Sequence, residues 1–252
     1  MAEQTSLPIE ELRTRVAEHD WYHTLELAPG VVTPGRFDLR DYVDRYRLPN
    51  DLTGQRALDV GTFDGFWAFE LERRGAEVVA IDVPRIQDLD WPYRHRPDLE
   101  EIRGDRFHLA AAARGSSVRW VGMSIYDADP ERLDGAFDLV VCGSLLIHLR
   151  DPMLALERIA SLCKGTFVLA EEYSRLAERI PRVTLAEFRG GSYYMTWWRP
   201  TTRTWMSMVR AAGFENVRHL GRFRLRFRDK RQPAIPHTVI HASGPLTEGQ
   251  AG

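Results

Sequence analysis

The chain has 252 residues, 44% hydrophobic and 28% charged, enough to bury a full core in a single globular domain. Its formal net charge of −2 supplies no basic field for collecting nucleic acid, and its two cysteines, Cys142 and Cys163, form neither a disulfide framework nor metal-ligand spacing. No apolar run reaches membrane-spanning length and the first residues lack the pattern of a secretion signal, so a cytoplasmic location without membrane or metal is expected.

Ser6 and Pro8 mark the start of a helix over residues 8–19. Residues 21–37 are aromatic, then punctuated by Pro29, Gly30, Pro34 and Gly35; they read as an irregular loop packed over a ligand mouth. Residues 41–48 read as a short helix and 49–54 as the turn into the first core strand. That strand, 57–60, is a short apolar run, as expected for burial on both faces. Gly61 and Gly65 break it, and a helix runs over 66–74 until Gly75 stops it. A second buried strand covers 78–82.

The crossover that follows is irregular to Pro97 and helical over 98–113; its length suggests a lid. Strands come next at 118–123 and 136–142. Asp151 and Pro152 cap and open an amphipathic helix over 153–163. Lys164 and Gly165 turn into a fifth strand at 166–170, with Glu171 and Glu172 at its carboxyl end. A second irregular insertion spans 174–200, and a helix covers 201–212. Within 215–228, Arg222, Arg224, Arg226 and Arg228 alternate with apolar residues, which puts four arginines on one face of a strand. A last strand covers 236–242.

This order predicts an α/β, Rossmann-like fold: a seven-stranded, mostly parallel sheet with helices on both faces and an antiparallel pair at the end. Residues 1–55 form an N-terminal helical and loop cap. The core is 56–243, with lid-like insertions at 84–117 and 174–200, and 244–252 is a disordered tail.

The turn after the first strand separates two cofactor classes. A dinucleotide site wants Gly-x-Gly-x-x-Gly; here Thr62, Phe63 and Asp64 separate Gly61 from Gly65. Asp59, two residues before Gly61, would repel a pyrophosphate and suits a ligand with a positive end. S-adenosyl-L-methionine carries both an ammonium and a sulfonium. Asp82, ending the second strand, is placed to accept both hydroxyls of a ribose. Ligands of open α/β sheets bind outside the carboxyl ends of the strands, where Asp59, Asp82, Ser124, Gly143, His148 and Glu171 fall.

Three stretches carry a resemblance: Leu58-Asp-Val-Gly-Thr-Phe-Asp-Gly65, Ile81-Asp82 and Phe137-Asp-Leu-Val-Val-Cys-Gly-Ser-Leu-Leu-Ile-His148. Through them the chain resembles the class I S-adenosylmethionine-dependent methyltransferases. Gly30-Val-Val-Thr33, Arg199-Pro200 and Ala212-Gly-Phe214 narrow the likeness to the tRNA wobble-uridine carboxymethyltransferase family and its small-molecule relatives. The resemblance runs over residues 21–242. It implies cofactor contacts from Phe37, Gly61, Asp82, Val83, Pro84, Ile125, Tyr126 and Gly143, with S-adenosyl-L-homocysteine as the spent product. The motifs add Asp59, Thr62, Phe63, Gly65 and Ser124. That family holds the extra carboxylate of carboxy-S-adenosylmethionine with a lysine, a tyrosine and an arginine. Tyr22, Ile147 and His237 stand at those positions here. An unpaired carboxylate in a closed site is costly, so plain methyl transfer is expected.

Such a transfer needs the acceptor aligned and its proton removed. The candidate bases are His148, His23 and Glu171. Each also has a structural reading, as a helix-start histidine, a surface-loop histidine and a solvated strand-end carboxylate. Tyr22, Tyr193, Tyr194, Trp197, Trp198 and Arg199 are candidates for the acceptor pocket, or for a small core of the second insertion's own. Phe37, Phe63 and Trp67 could face the sulfonium. The arginine strand is a solvated face or a phosphate track. The expected partner is a small-molecule acceptor, methylated on oxygen in specialised metabolism. A tRNA acceptor is disfavoured by the chain's acidity, homo-oligomerisation is left open, and a non-catalytic adenosine-binding module is the third reading.

Overall fold

The computed structural model describes residues 8–97, 102–191 and 195–245. Helix α1 (Ile9–Ala17) buries Leu12 and Val16 and leads into the aromatic segment. That segment is more regular than its sequence suggests. It contains a hairpin, β1 (Glu26–Ala28) with β2 (Val31–Val32), turned at Gly30 with φ 75°. Leu25, Leu27 and Val31 are buried, and Thr33 Oγ1 accepts from Leu25 N and donates to the His23 carbonyl. Those contacts give the segment a core, which overrides its proline and glycine content. A 3₁₀ turn over Arg40–Tyr46 follows.

The core then alternates as predicted: β3 (Arg56–Val60), α2 (Phe66–Arg73), β4 (Glu77–Asp82), α3 (Asp105–Arg114), β5 (Arg119–Gly122), β6 (Phe137–Gly143), α4 (Pro152–Leu162) and β7 (Cys163–Glu172). A small hairpin, β8 (Ala186–Phe188) with β9 (Trp198–Pro200), lies inside the second insertion. Helix α5 (Thr202–Ala211) and strands β10 (Phe214–Leu225) and β11 (Ile235–Pro245) close the fold.

One seven-stranded sheet has the order β10-β11-β7-β6-β3-β4-β5. Strands β3 to β7 are mutually parallel, and β11 runs antiparallel to both its neighbours. Strand alternation splits the core. Ala57, Val78, Ala80, Leu139 and Val141 pack with α2, α3 and the N-terminal cap on one face. Leu58, Val60, Val79, Ile81, Val140 and Cys142 pack with α4 and α5 on the other. The chain winds outward from β3 through β4 to β5, then returns to β6 on the far side. A crevice therefore opens at the carboxyl ends of β3 and β6, the topological switch point.

Asp151 caps α4, accepting from Leu154 N at 3.0 Å, and Pro152 takes the first helical position, as predicted. Three expectations change. The helix read over 98–113 begins at Asp105, after Gly104 with φ 104°; residues 98–101 lie outside the described residues. No turn separates α4 from β7, since Cys163 already pairs with Phe137. Gly165 serves packing instead, because a Cβ there would sit 2.2 Å from the Asp138 carbonyl oxygen. Gly244 and Pro245, read as tail, belong to β11. Among the described residues no helix is long and apolar enough to cross a membrane.

Trp205 anchors α5. Its ring is 0% exposed and its Nε1 donates to the Glu172 carbonyl at 2.9 Å. Trp205→Ala removes the ring and orphans that carbonyl, so it is expected to cost about 3–5 kcal/mol in urea denaturation. A midpoint unchanged from the parent would show that α5 is not held by this ring.

Arg222, Arg224, Arg226 and Arg228 are exposed while Phe223 and Leu225 are buried, in keeping with the alternation. The strand ends at Leu225, short of the last two arginines. Arg222 pairs with Glu178, donates to Thr202 Oγ1 and lies 4.8 Å from the Tyr173 ring.

Candidate active site

The glycine turn after β3 brings its side chains to the crevice. Gly61 has φ 76°, and a Cβ there would come within 2.9 Å of the Leu145 side chain. Phe63 also takes a left-handed conformation, φ 53°, and its N–H donates to Asp82 Oδ2 at 2.8 Å. The Val83 N–H donates to Asp82 Oδ1 at 2.8 Å. The Arg103 guanidinium also reaches this carboxylate, with Nη2 3.2 Å from Oδ2, and lies 4.8 Å from the Phe63 ring.

Asp64, from the same turn, is fully buried. Its Oδ2 accepts from the Tyr22 and His23 N–H groups, both at 2.9 Å, and its Oδ1 bonds His23 Nδ1. A carboxylate that takes two backbone donors is an acceptor, so Nδ1 carries a proton and Nε2 is the ring nitrogen left free of Asp64. His23 itself is 8% exposed.

A cavity of about 210 Å³ collects these groups. Tyr22, His23 and Phe37 reach it from the cap, Gly61, Thr62 and Phe63 from the glycine turn, and Asp82, Gly143 and His148 from the ends of the other strands. Tyr22 packs against Phe37 at 5.0 Å and Phe63 at 5.2 Å. His148 Nδ1 lies 3.4 Å from the Met195 carbonyl. An adjoining chamber of about 50 Å³ is bounded by Val83, Ser124, Ile125 and Tyr126, with Leu145 and Leu149. Pro84 lines an outer groove of about 650 Å³ that shares Val83 and Ser124.

Six predicted site residues among the described ones line neither the cavity nor the adjoining chamber and groove. Asp59 is 2% exposed under α2, where its Oδ2 accepts from Ala68 N at 3.0 Å. It shares the α2 face of β3 with Ala57, two residues away, so it cannot point along the strand toward the crevice. Gly65 is the N-cap of α2 with φ 98°, and a Cβ there would meet Phe69 at 2.4 Å. Glu171 is buried, and its Oε1 accepts from Leu145 N at 2.7 Å and Leu146 N at 2.6 Å. It shapes the backbone after β6.

Trp197 and Trp198 spend their indole N–H groups on the carbonyls of Asp90 and Arg150. Arg199 bridges Glu172 and Glu187 at 3.1 and 2.7 Å. Trp197 thus ties the second insertion to the first, Trp198 ties it to the loop before α4, and Arg199 ties it to the end of β7. Tyr193 and Tyr194 lie outside the described residues. The cavity also has walls that sequence reading did not name, including Tyr46 and Ser144. The Tyr46 ring stands 3.8 Å from that of Trp67, and burial pushes its phenol upward.

Burial raises the Asp59 carboxyl from 3.8 to about 7 and the Glu171 carboxyl from 4.5 to about 8. The folded protein therefore holds protons that the unfolded chain has released. Their stabilisation is fully present below the unfolded values and is lost as pH rises through the folded ones. Thermal melts are expected to show Tm falling between roughly pH 6 and pH 8 and levelling above that, and Glu171→Gln is expected to flatten the fall. A Tm that rises across that window would contradict the assignment.

Residues 36–219 match the family profile described as a methyltransferase domain. The chain belongs to the methyltransferase domain family. This methyltransferase is 41% identical over 106 residues to the magnesium-protoporphyrin O-methyltransferase of Rhodobacter capsulatus, a match over 42% of this chain and 39% of that one. It is 31% identical over 160 residues to a ubiquinone biosynthesis O-methyltransferase of Alkalilimnicola ehrlichii, covering 63% and 56%. The chain thus spans between about two fifths and three fifths of the length of these relatives.

Among solved structures, the N-terminal domain of EvdMO1, crystallised in the presence of S-adenosylhomocysteine and D-fucose, shares the fold. Its TM-score is 0.67 at 17% identity, over 97% of this chain and 100% of that one. The magnesium protoporphyrin IX methyltransferase of Synechocystis PCC 6803, with bound S-adenosylmethionine, has a TM-score of 0.54 at 14% identity, over 82% and 78%.

Proposed function

We propose that this methyltransferase takes its methyl group from S-adenosylmethionine and delivers it to a hydroxyl of a small molecule in specialised metabolism. The observation that carries this reading is the His23–Asp64 pair on the cavity that also contains Gly61, Asp82 and Gly143. The relatives named as O-methyltransferases support oxygen as the target.

The residues fit the cofactor. Asp82 offers a carboxylate for ribose hydroxyls once the Arg103 guanidinium withdraws. Gly143 leaves room where a Cβ would come within 3.3 Å of Trp67 Nε1 and the Tyr46 hydroxyl. The chamber walled by Ile125, Leu145 and Leu149 suits a flat base. When bound, the cofactor supplies an electrophilic methyl on a sulfonium.

His23 takes the acceptor's proton at Nε2, and Asp64 holds the ring's orientation and stabilises the imidazolium. The rings of Tyr22, Phe37 and Phe63 exclude water and offer π-faces to positive charge. Arg222 is already paired with Glu178, which weakens the case for a phosphate track.

Transfer of radiolabelled methyl to a panel of hydroxylated small molecules and to bulk tRNA tests the reading. Label is expected in the small molecules. Label in tRNA alone, or homocysteine-nucleoside binding without any transfer, would overturn it.

A further inference from the structure

We infer that the Tyr46 hydroxyl and the Trp67 indole N–H form a two-donor subsite for a ligand carboxylate, in the space that Gly143 leaves open. This deepens the reading of the cavity given above and rests on it.

Three elements build the subsite. Tyr46 ends the 3₁₀ turn of the cap, Trp67 lies in the first turn of α2, and Gly143 is the last residue of β6. All three line the main cavity. A Cβ on Gly143 would stand 3.3 Å from Tyr46 Oη and 3.3 Å from Trp67 Nε1. The two polar atoms therefore meet at one point, and the glycine keeps a methyl out of it.

Among the described residues neither atom has a hydrogen-bond partner. That sets Trp67 apart. Five of the seven tryptophans, Trp21, Trp91, Trp197, Trp198 and Trp205, give Nε1 to a backbone carbonyl. Trp120 gives its own to nothing but is sealed away. Trp67 alone of the seven keeps an unspent N–H on the cavity wall. Packing holds both rings in place. Tyr46 is 2% and Trp67 4% exposed, their rings stand 3.8 Å apart, and Phe66 packs edge-on to Trp67 at 5.1 Å. Two buried donors fixed in this way call for an acceptor that a ligand brings.

The chemistry of that acceptor follows from the donors. An indole N–H can only donate. Burial, reinforced by the nearby Glu171, raises the Tyr46 phenol, so it keeps its proton and donates as well. A cation would face two protons here. A carboxylate oxygen has lone pairs for both, and such charge-assisted bonds are roughly twice as strong as neutral ones. Glu171 does not oppose it, because burial lifts that carboxyl to about 8 and keeps it mostly neutral at neutral pH. Two ligands of the cavity can bring a carboxylate: S-adenosylmethionine on its amino-acid end, and an acidic acceptor.

Calorimetry separates the two sources. S-adenosylhomocysteine carries the amino-acid carboxylate, and 5′-methylthioadenosine is a thionucleoside without it. Benzoate and benzamide, titrated into protein preloaded with S-adenosylhomocysteine, stand for an acidic and a neutral acceptor. The variants are Tyr46→Phe, Trp67→Phe and Gly143→Ala; the last puts a methyl at the meeting point of the donors, and the backbone there is not left-handed. If the cofactor supplies the carboxylate, each variant is expected to weaken S-adenosylhomocysteine roughly tenfold and to leave 5′-methylthioadenosine within about twofold of the parent. If the acceptor supplies it, S-adenosylhomocysteine binds as before and the parent's preference for benzoate over benzamide disappears in the variants. Either pattern supports the subsite. Equal loss of both thionucleosides, or variants that match the parent toward all four compounds, overturns it. A parent that takes up neither thionucleoside overturns the cofactor reading instead.

Discussion

His23→Gln is expected to lower kcat by roughly 10²–10⁴-fold, the range a positioned general base supplies. The side chain lies on the cavity with its Nδ1 proton given to Asp64, so Nε2 is the nitrogen able to take a proton. Glutamine keeps a polar group of similar reach but has no basic nitrogen. Nucleoside affinity, measured by calorimetry, is expected to shift far less than kcat. Asp64→Asn should give a similar loss of kcat by another route. An amide donates to Nδ1 and so forces the ring proton onto Nε2. It also weakens the tie to the Tyr22 and His23 N–H groups, so a lower Tm is expected alongside. If His23→Gln kept kcat within about threefold of the parent, the base would have to be sought elsewhere on the cavity wall.

Asp82→Ala should weaken S-adenosylhomocysteine binding by roughly 10²-fold or more, since two charge-assisted hydrogen bonds to the ribose are lost together. The variant also strands the N–H groups of Phe63 and Val83, so affinity and Tm both fall. Arg103→Ala separates the two effects. The guanidinium occupies the same carboxylate and adds a stacking contact on Phe63. Removing it frees the site, and binding should tighten by roughly threefold to tenfold. Opposite signs for the two variants would identify Asp82 as the nucleoside's partner and Arg103 as its competitor. Weaker binding in both would mean that Arg103 itself holds the nucleoside.

Strands β3, β4, β6 and β7 were legible because each is buried on both faces and therefore reads as an apolar run bounded by turn residues, whereas β5, at the margin of the sheet, is only partly buried. The position of Asp82 on the crevice was legible too, since a strand end and a glycine turn at fixed spacing place it. Asp64 was not. It sits in plain view between Gly61 and Gly65, but its partners are Tyr22 and His23, some forty residues upstream and joined to it only by the folding of the cap. The hydrogen-bonded pair of Ser144, just after β6, and His237, on β11, is further apart still. The aromatic insertion misled because ring content says nothing about where indole N–H groups go; here they go to backbone carbonyls. Asp59 carried its own warning. Alternation with Ala57 already assigned it to the face beneath α2.

The position of the arginine row has a consequence for how copies of the chain meet. Strand β10 is long and, among the described residues, has a neighbouring strand in the sheet on one side only. Two molecules laying these margins together in register would bring Arg224 of each close to the same side chain of the other, while Arg222 is already paired with Glu178. Mutual repulsion there acts as a guard against fibrillar stacking, and it protects the stretch most exposed to it.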